Sequence, residues 1–214
     1  MSASAQPPVG RLHVVTDTDL QHRHTHAELA RLAALGGADT VQFRHKQGTT
    51  RDRWAALVEA AEACHMSSVA LVVDDHADLA LAVGGGVHVG QTDLPVDVVR
   101  RLLGPAAVVG ATASTVAEAT AAEAAGATYV GFGPVFGTAS KANPAPAPGL
   151  DGLAAACAAV CIPVIAIGGI TPARVADVLR SGAWGIAVLS AIVCADDVAA
   201  AAAAFADEIE RWKG

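Results

Sequence analysis

Charge is scarce in this chain. Only 16% of its 214 residues are Asp, Glu, Lys or Arg, against 53% hydrophobic. That balance excludes a disordered chain and fits one well-buried core of ordinary size, with little room for two domains. Basic residues are the smaller part of the charge, and the net value of −7 excludes a broad nucleic-acid surface. It leaves room for a small basic cluster that binds phosphate. No uninterrupted apolar run is long enough to span a membrane, so no membrane partner is expected. The opening MSASAQPP lacks the charged-then-apolar layout of a signal peptide. Residues 1–10 are expected to form a loose tail ahead of a single domain at 11–214. Zinc-like cysteine pairing is absent too. Cys64, Cys157, Cys161 and Cys194 stand at unrelated spacings and read as free thiols of a cytoplasmic protein.

What the chain does have is a repeated unit. Short apolar runs rich in Val and Ile are predicted as strands at 11–16, 40–44, 69–73, 86–90, 107–111, 128–133, 163–167 and 184–189. Helical stretches follow them at about 25–35, 51–65, 77–83, 96–103, 115–125, 150–160, 172–181 and 196–212. Strands without polar alternation are those of a parallel sheet buried on both faces. Eight strand–helix units in succession predict a single (β/α)8 barrel, a TIM barrel of the small phosphate-binding kind. An open doubly wound sheet would carry a glycine-rich fingerprint after its first strand, and Thr16-Asp17-Thr18-Asp19 is not one.

A barrel of this kind places its chemistry at the C-terminal ends of the strands. Gln42, Arg44 and Lys46 are spaced by two after the second strand, which puts them on one side of an extended segment. Asp74 and Asp75 end the third strand, Gln91 and Asp93 follow the fourth, and Thr112 follows the fifth. After the sixth comes GFGPVFGTASK, residues 131–141. Its glycines allow close backbone approach, and Thr138, Ser140 and Lys141 offer hydroxyls and an ammonium to a phosphate. Gly168-Gly169 and Leu189-Ser190 end strands seven and eight, where backbone N–H groups bind phosphate in such barrels. Asp75 and Asp93 suit a magnesium ion shared with substrate phosphates. Each carboxylate would serve equally as a helix cap. His22, His24 and His26 read as a solvated loop, and His88 as a histidine packed inside the barrel.

These motifs together resemble the thiamine-phosphate synthase family. The matching segments are QFRHK (42–46), VDDHADLA (73–80), GVHVGQTD (86–93), GFGPVFGTASK, IPVIAIGGIT (162–171) and GIAVLSAI (185–192). The resemblance implies a transferase. It would join hydroxymethylpyrimidine pyrophosphate to a hydroxyethylthiazole phosphate, or its carboxylated form, by a dissociative substitution with Mg2+. It places Gln42, Arg44, Lys46, Asp74, Thr112 and Lys141 around the pyrimidine pyrophosphate, with Arg44, Lys46, Thr112 and Lys141 acting in catalysis. Thr138, Ser140, Gly169, Leu189 and Ser190 would line the thiazole phosphate site. The partners implied are small phosphorylated substrates, and a homo-oligomer is left open. Three positions depart from the family pattern, which has Asn at 74, Ser at 112 and Pro at 137. An ionised Asp74 only accepts hydrogen bonds and adds charge beside pyrophosphate, so it is expected either to be partly protonated or to help hold the metal. The related thiazole tautomerase branch has a histidine where this chain has Pro134 and lacks the aspartate pair. A non-catalytic phosphate-binding barrel is the third reading, and the retained Arg44, Lys46 and Lys141 speak against it.

Overall fold

The computed structural model describes residues 9–137 and 147–212. Eight parallel strands close into a barrel in chain order: β1 (Leu12–Thr16), β2 (Thr40–Phe43), β3 (Ala70–Asp74), β4 (Gly86–Val89), β5 (Val109–Ala113), β6 (Tyr129–Phe132), β7 (Val164–Ile167) and β8 (Gly185–Val188). The barrel closes where Leu12, His13 and Val14 of β1 register with Ile186, Ala187 and Val188 of β8. Around it lie α1 (His26–Leu35), α2 (Thr50–Met66), α3 (Ala77–Val83), α4 (Val96–Leu103), α5 (Val116–Ala124), α6 (Gly149–Ala159), α7 (Val175–Arg180), α8 (Ser190–Val193) and α9 (Val198–Arg211). This is the expected (β/α)8 architecture.

The helices start where local chemistry stops the chain from extending. Thr25 with Glu28, Thr49 with Asp52 and Thr115 with Glu118 form capping boxes at α1, α2 and α5. In each, the threonine hydroxyl accepts an N–H of the first turn and the acid accepts the N–H of the cap. The strands divide by alternation. Val14, Val41, Val130 and Ile186 face outward and pack under the helices. So do Phe43, Val73, Val87 and Val109, in a second cluster under α2 to α4. Val15, Tyr129, Ile165 and Ala187 point inward and fill the barrel. His13 joins them, 1% exposed, its Nε2 3.1 Å from the Gly10 carbonyl. Burial, only partly offset by that bond, pulls its pKa down to about 4 and keeps the ring neutral.

Three of the boundary differences from the sequence reading have a clear cause in the packing. The expected tail is shorter, because Val9 and Gly10 belong to the barrel floor. Val9 is 7% exposed and packs with Tyr129 and Ile165, and its carbonyl accepts the Trp184 indole N–H at 2.9 Å. Residues 1–8 lie outside the described residues. The fifth strand runs two residues later than its apolar sequence suggests. Arg100 donates to the Ala107 carbonyl at 2.6 Å and holds that segment against the end of α4. The shift puts Thr112 inside β5, not beyond it. Finally, α8 is a separate turn after β8, and α9 starts at Val198 because Asp197 caps it by accepting the Ala200 N–H at 2.9 Å.

Arg100 ties more than one segment. It also donates to Gly104, to Gly126 and to the Thr128 hydroxyl, at 3.2, 2.8 and 2.9 Å. Truncating it leaves part-buried carbonyls without donors. Arg100→Ala is expected to cost about 2–3 kcal/mol in chemical denaturation while the folded fraction keeps its ligand affinity.

Candidate active site

The polar ends of β1 to β4 meet at one side of the barrel mouth. Gln42 leaves β2 pointing inward, and Arg44 and Lys46 repeat its direction two and four residues on. All three reach Asp74. Gln42 Nε2 donates to Oδ1 at 2.8 Å, Lys46 Nζ lies 2.7 Å from Oδ2, and Arg44 Nε lies 3.9 Å from Oδ2. Lys46 also donates to Asp75.

Arg44 has a second partner that the sequence reading left unassigned. Asp17, 1% exposed, follows β1 and accepts from Arg44 Nη1 through Oδ2. Its Oδ1 accepts the N–H groups of Asp19 and Leu20 at 2.8 and 3.2 Å, which closes the turn and fixes the carboxylate. The signal for Asp17 was its place at a strand's C-terminal end.

Asp75 sits in the left-handed region with φ of +63°, a conformation that costs a non-glycine residue about 1–2 kcal/mol. Its N–H donates to the His88 carbonyl at 2.8 Å, pinning the turn to β4. The turn brings its carboxylate against that of Asp93, whose Oδ2 also accepts the Gly90 N–H at 2.7 Å. Burial disfavours charge on Asp75, but hydrogen bonding and attraction from Lys46 outweigh it and hold the carboxyl below its usual range. Asp93 goes the other way. Burial, and then the negative Asp75, push it up in spite of the Gly90 bond. Burial also raises Asp74, followed by Asp75's charge, against the pull of Lys46 and Arg44. Two facing carboxylates of this kind fit a hard cation that takes its remaining oxygens from water and phosphate. Among the described residues no three His, Cys, Asp or Glu side chains gather into a metal cage.

Thr112 points inward from β5, with Oγ1 2.9 Å from His88 Nε2. Gln91 donates to its carbonyl at 2.6 Å. Across the mouth, Gly168 and Gly169 follow β7 with φ of +99° and +65°. A Cβ at Gly168 would lie 2.5 Å from Pro134 Cα, and one at Gly169 2.6 Å from the Gly137 carbonyl oxygen. Only glycine fits this close approach. The approach is stitched by Val135 N–H to Ile167 O at 2.8 Å and Phe136 N–H to Gly168 O at 3.1 Å. Arg174 braces it, donating to the Gly169 carbonyl at 2.7 Å with its guanidinium 4.4 Å from the Phe136 ring centre. Leu189 and Ser190 lead from β8, the strand paired with β7, into α8. Thr138, Ser140 and Lys141 lie outside the described residues.

One expectation is corrected. The 21–26 segment is not a uniformly solvated histidine loop. Gln21 organises it, accepting the N–H groups of Arg23 and His24, both at 2.9 Å. His26 is 3% exposed, with Nδ1 2.8 Å from Thr16 Oγ1, Nε2 3.1 Å from His45 Nδ1, and its ring 4.4 Å from that of Phe43. Burial, then repulsion from His45, pulls its pKa down to about 4. Only the fold brings those partners together.

The family model described as thiamine monophosphate synthase matches residues 12–192. The chain belongs to the thiamine monophosphate synthase family. Relatives agree over nearly the whole chain. A thiamine-phosphate synthase of Salinibacter ruber is 52% identical over 209 residues, covering 97% of this chain and 92% of its own. One of Methanoculleus marisnigri is 46% identical, covering 94% and 96%. Among solved structures, a thiamine phosphate pyrophosphorylase from Pyrococcus furiosus superimposes with a TM-score of 0.86 at 36% identity, covering 95% of this chain and 97% of that one.

Asp74 offers a test of these electrostatics. Its raised pKa means that folding disfavours the carboxylate, so wild-type stability falls as pH rises from 3.8 through the raised folded value. Asp74→Asn keeps the shape, and Gln42 can reverse its amide to accept from the new one. The variant is expected to melt higher than wild type at pH 7. The gap should close as the pH drops below 3.8, where both forms of residue 74 are neutral.

Proposed function

We propose that the protein is a thiamine-phosphate synthase, joining hydroxymethylpyrimidine pyrophosphate to hydroxyethylthiazole phosphate with release of pyrophosphate. The observation that carries this reading is the convergence of Gln42, Arg44 and Lys46 on Asp74 and Asp75, beside Asp93, in a barrel of that family. A loop built for close backbone approach stands across the mouth.

In the reaction, the methylene C–O bond of the pyrimidine substrate breaks and its electron pair leaves with pyrophosphate. The pyrimidine ring stabilises the cation left behind. The thiazole nitrogen then donates its lone pair to that carbon. No proton moves and no enzyme nucleophile is consumed, so the protein's work is binding, orientation and charge. Arg44 keeps one edge on Asp17 and presents its remaining N–H donors to phosphate oxygens. Lys46 turns from the carboxylates to the leaving group as negative charge builds there. A magnesium ion held by Asp75 and Asp93 would neutralise the departing pyrophosphate. Gln42 and Asp74 hold the inner side of the same pocket, and Thr112 offers its hydroxyl. Gly169, Leu189 and Ser190 take the thiazole phosphate through backbone N–H groups and a hydroxyl. Lys141, Thr138 and Ser140 complete the two sites by the family pattern. The related tautomerase branch has a histidine where this chain has Pro134, a side chain with no acid or base to offer.

We place the reaction in the cytoplasm, with which four free thiols agree. Among the described residues no helix is long and apolar enough to cross a membrane.

Asp75→Asn and Asp93→Asn are each expected to lower kcat with Mg2+ by about 10²–10³ while the unfolding temperature stays within a few degrees of wild type. Thiamine phosphate should form from both substrates with Mg2+ and stop with EDTA. Full turnover in either variant overturns the metal assignment, and product formed equally in EDTA overturns the requirement for metal.

A further inference from the structure

The barrel interior holds polar groups that the reaction above does not use. His88 on β4 and Tyr129 on β6 point inward below Thr112. Tyr129 is 2% exposed and its hydroxyl lies 3.0 Å from His88 Nδ1. The other ring nitrogen, Nε2, lies 2.9 Å from Thr112 Oγ1. Two flanking positions are glycines that make room for the rings. A Cβ at Gly110 would lie 2.2 Å from Tyr129 Cζ and 2.5 Å from His88 Nδ1, and one at Gly131 would lie 2.8 Å from His88 Cε1. Two strands thus give up side chains so that a tyrosine and a histidine can stand in line under a threonine.

The line has a direction. A buried hydroxyl must donate its proton, and among the described residues the hydrogen-bond contact of Tyr129 is His88 Nδ1. Burial, and then the charge of Asp74, raise the pKa of Tyr129, so its proton stays in place. Nδ1 is therefore the acceptor and the ring proton sits on Nε2. Nε2–H donates to Thr112 Oγ1, which leaves the threonine's own proton to be given elsewhere. The open side of Thr112 is the barrel mouth. The opposite polarity would leave the Tyr129 proton without an acceptor within hydrogen-bond distance among the described residues, since His13 meets Tyr129 only as a ring contact, centroids 5.4 Å apart.

We propose that His88 and Tyr129 are positioning residues that fix Thr112 as a hydrogen-bond donor to the pyrimidine pyrophosphate. The inference rests on the synthase reading, in which Thr112 touches that substrate. The tyrosine sets the histidine tautomer, and the tautomer sets which way the threonine hydroxyl points. β-Branching at Thr112 adds to this by restricting its side-chain rotation.

The test has two arms. In protein labelled with ¹⁵N-histidine, the ring spectrum of His88 is expected to show the proton on Nε2, and Tyr129→Phe is expected to shift it toward the Nδ1 form. A proton on Nδ1 in wild type overturns the proposal. In the kinetic arm, Tyr129→Phe is expected to lower kcat by about three- to tenfold, the worth of one neutral hydrogen bond, with the KM for the thiazole phosphate unchanged. Thr112→Val should lower it at least as much, and the double variant should be no slower than Thr112→Val alone. Independent, multiplying losses overturn the proposal, because a merely structural tyrosine would add its effect to that of Thr112. Wild-type protein without turnover overturns the synthase reading, and the spectra still decide the polarity of the chain.

Discussion

At the mouth of the barrel, Arg44 and Lys46 stand among four carboxylates, Asp17, Asp74, Asp75 and Asp93. Counted among the described residues, the acids outnumber the bases by two. Two unit charges about 4 Å apart in a partly buried setting interact by about 4 kcal/mol. Facing acids such as Asp75 and Asp93 therefore need something positive between them, or a shared proton. The opposite pKa directions of this pair express that conflict: one acid is held down by Lys46 and the other is pushed up by burial and by its neighbour. A pyrophosphate brings further negative charge to the same place. On the proposed reading, binding of the substrate and binding of a divalent cation would be one event, with the rest of the site arranged around it.

The fold supplies that arrangement with few parts. Period-two alternation sends Gln42, Arg44 and Lys46 to one side, and the parallel register of β2 with β3 sets them opposite Asp74. A left-handed residue at Asp75 then turns the next carboxylate toward the loop after β4, at a cost in backbone strain that a functional site can bear. On the far side, paired glycines after β7 lie so close to the β6 loop that any side chain would collide. A rigid acidic side and a close-packed glycine side fit the two ends of a substitution in which both partners carry phosphate.

Much of this was legible in the sequence, because parallel strands buried on both faces leave unbroken apolar runs and the barrel fixes where chemistry must sit. The two-residue spacing from Gln42 to Lys46 likewise survives folding unchanged. What escaped reading depends on contacts between distant segments. The start of β5 could not be placed, since Ala107 and Val108 are as apolar as the strand, and the donors that hold the Ala107 carbonyl, Arg100 and the Thr128 hydroxyl, come from distant segments. Asp17 looks like one acid in a polar turn until Arg44 arrives from the next strand. His26 shares a short polar segment with two other histidines, and nothing local marks it for burial against Phe43. Tyr129 was indistinguishable from a packing residue until His88 stood beside it.

Calorimetric titration of inorganic pyrophosphate into the wild-type protein tests the charge argument most directly, since it separates binding from chemistry. With Mg2+ present the account predicts saturable binding at one site per chain, and with EDTA in its place it predicts none at the same concentrations. Equal affinity in both buffers would mean that Arg44 and Lys46 overcome the four carboxylates unaided, and would contradict the account.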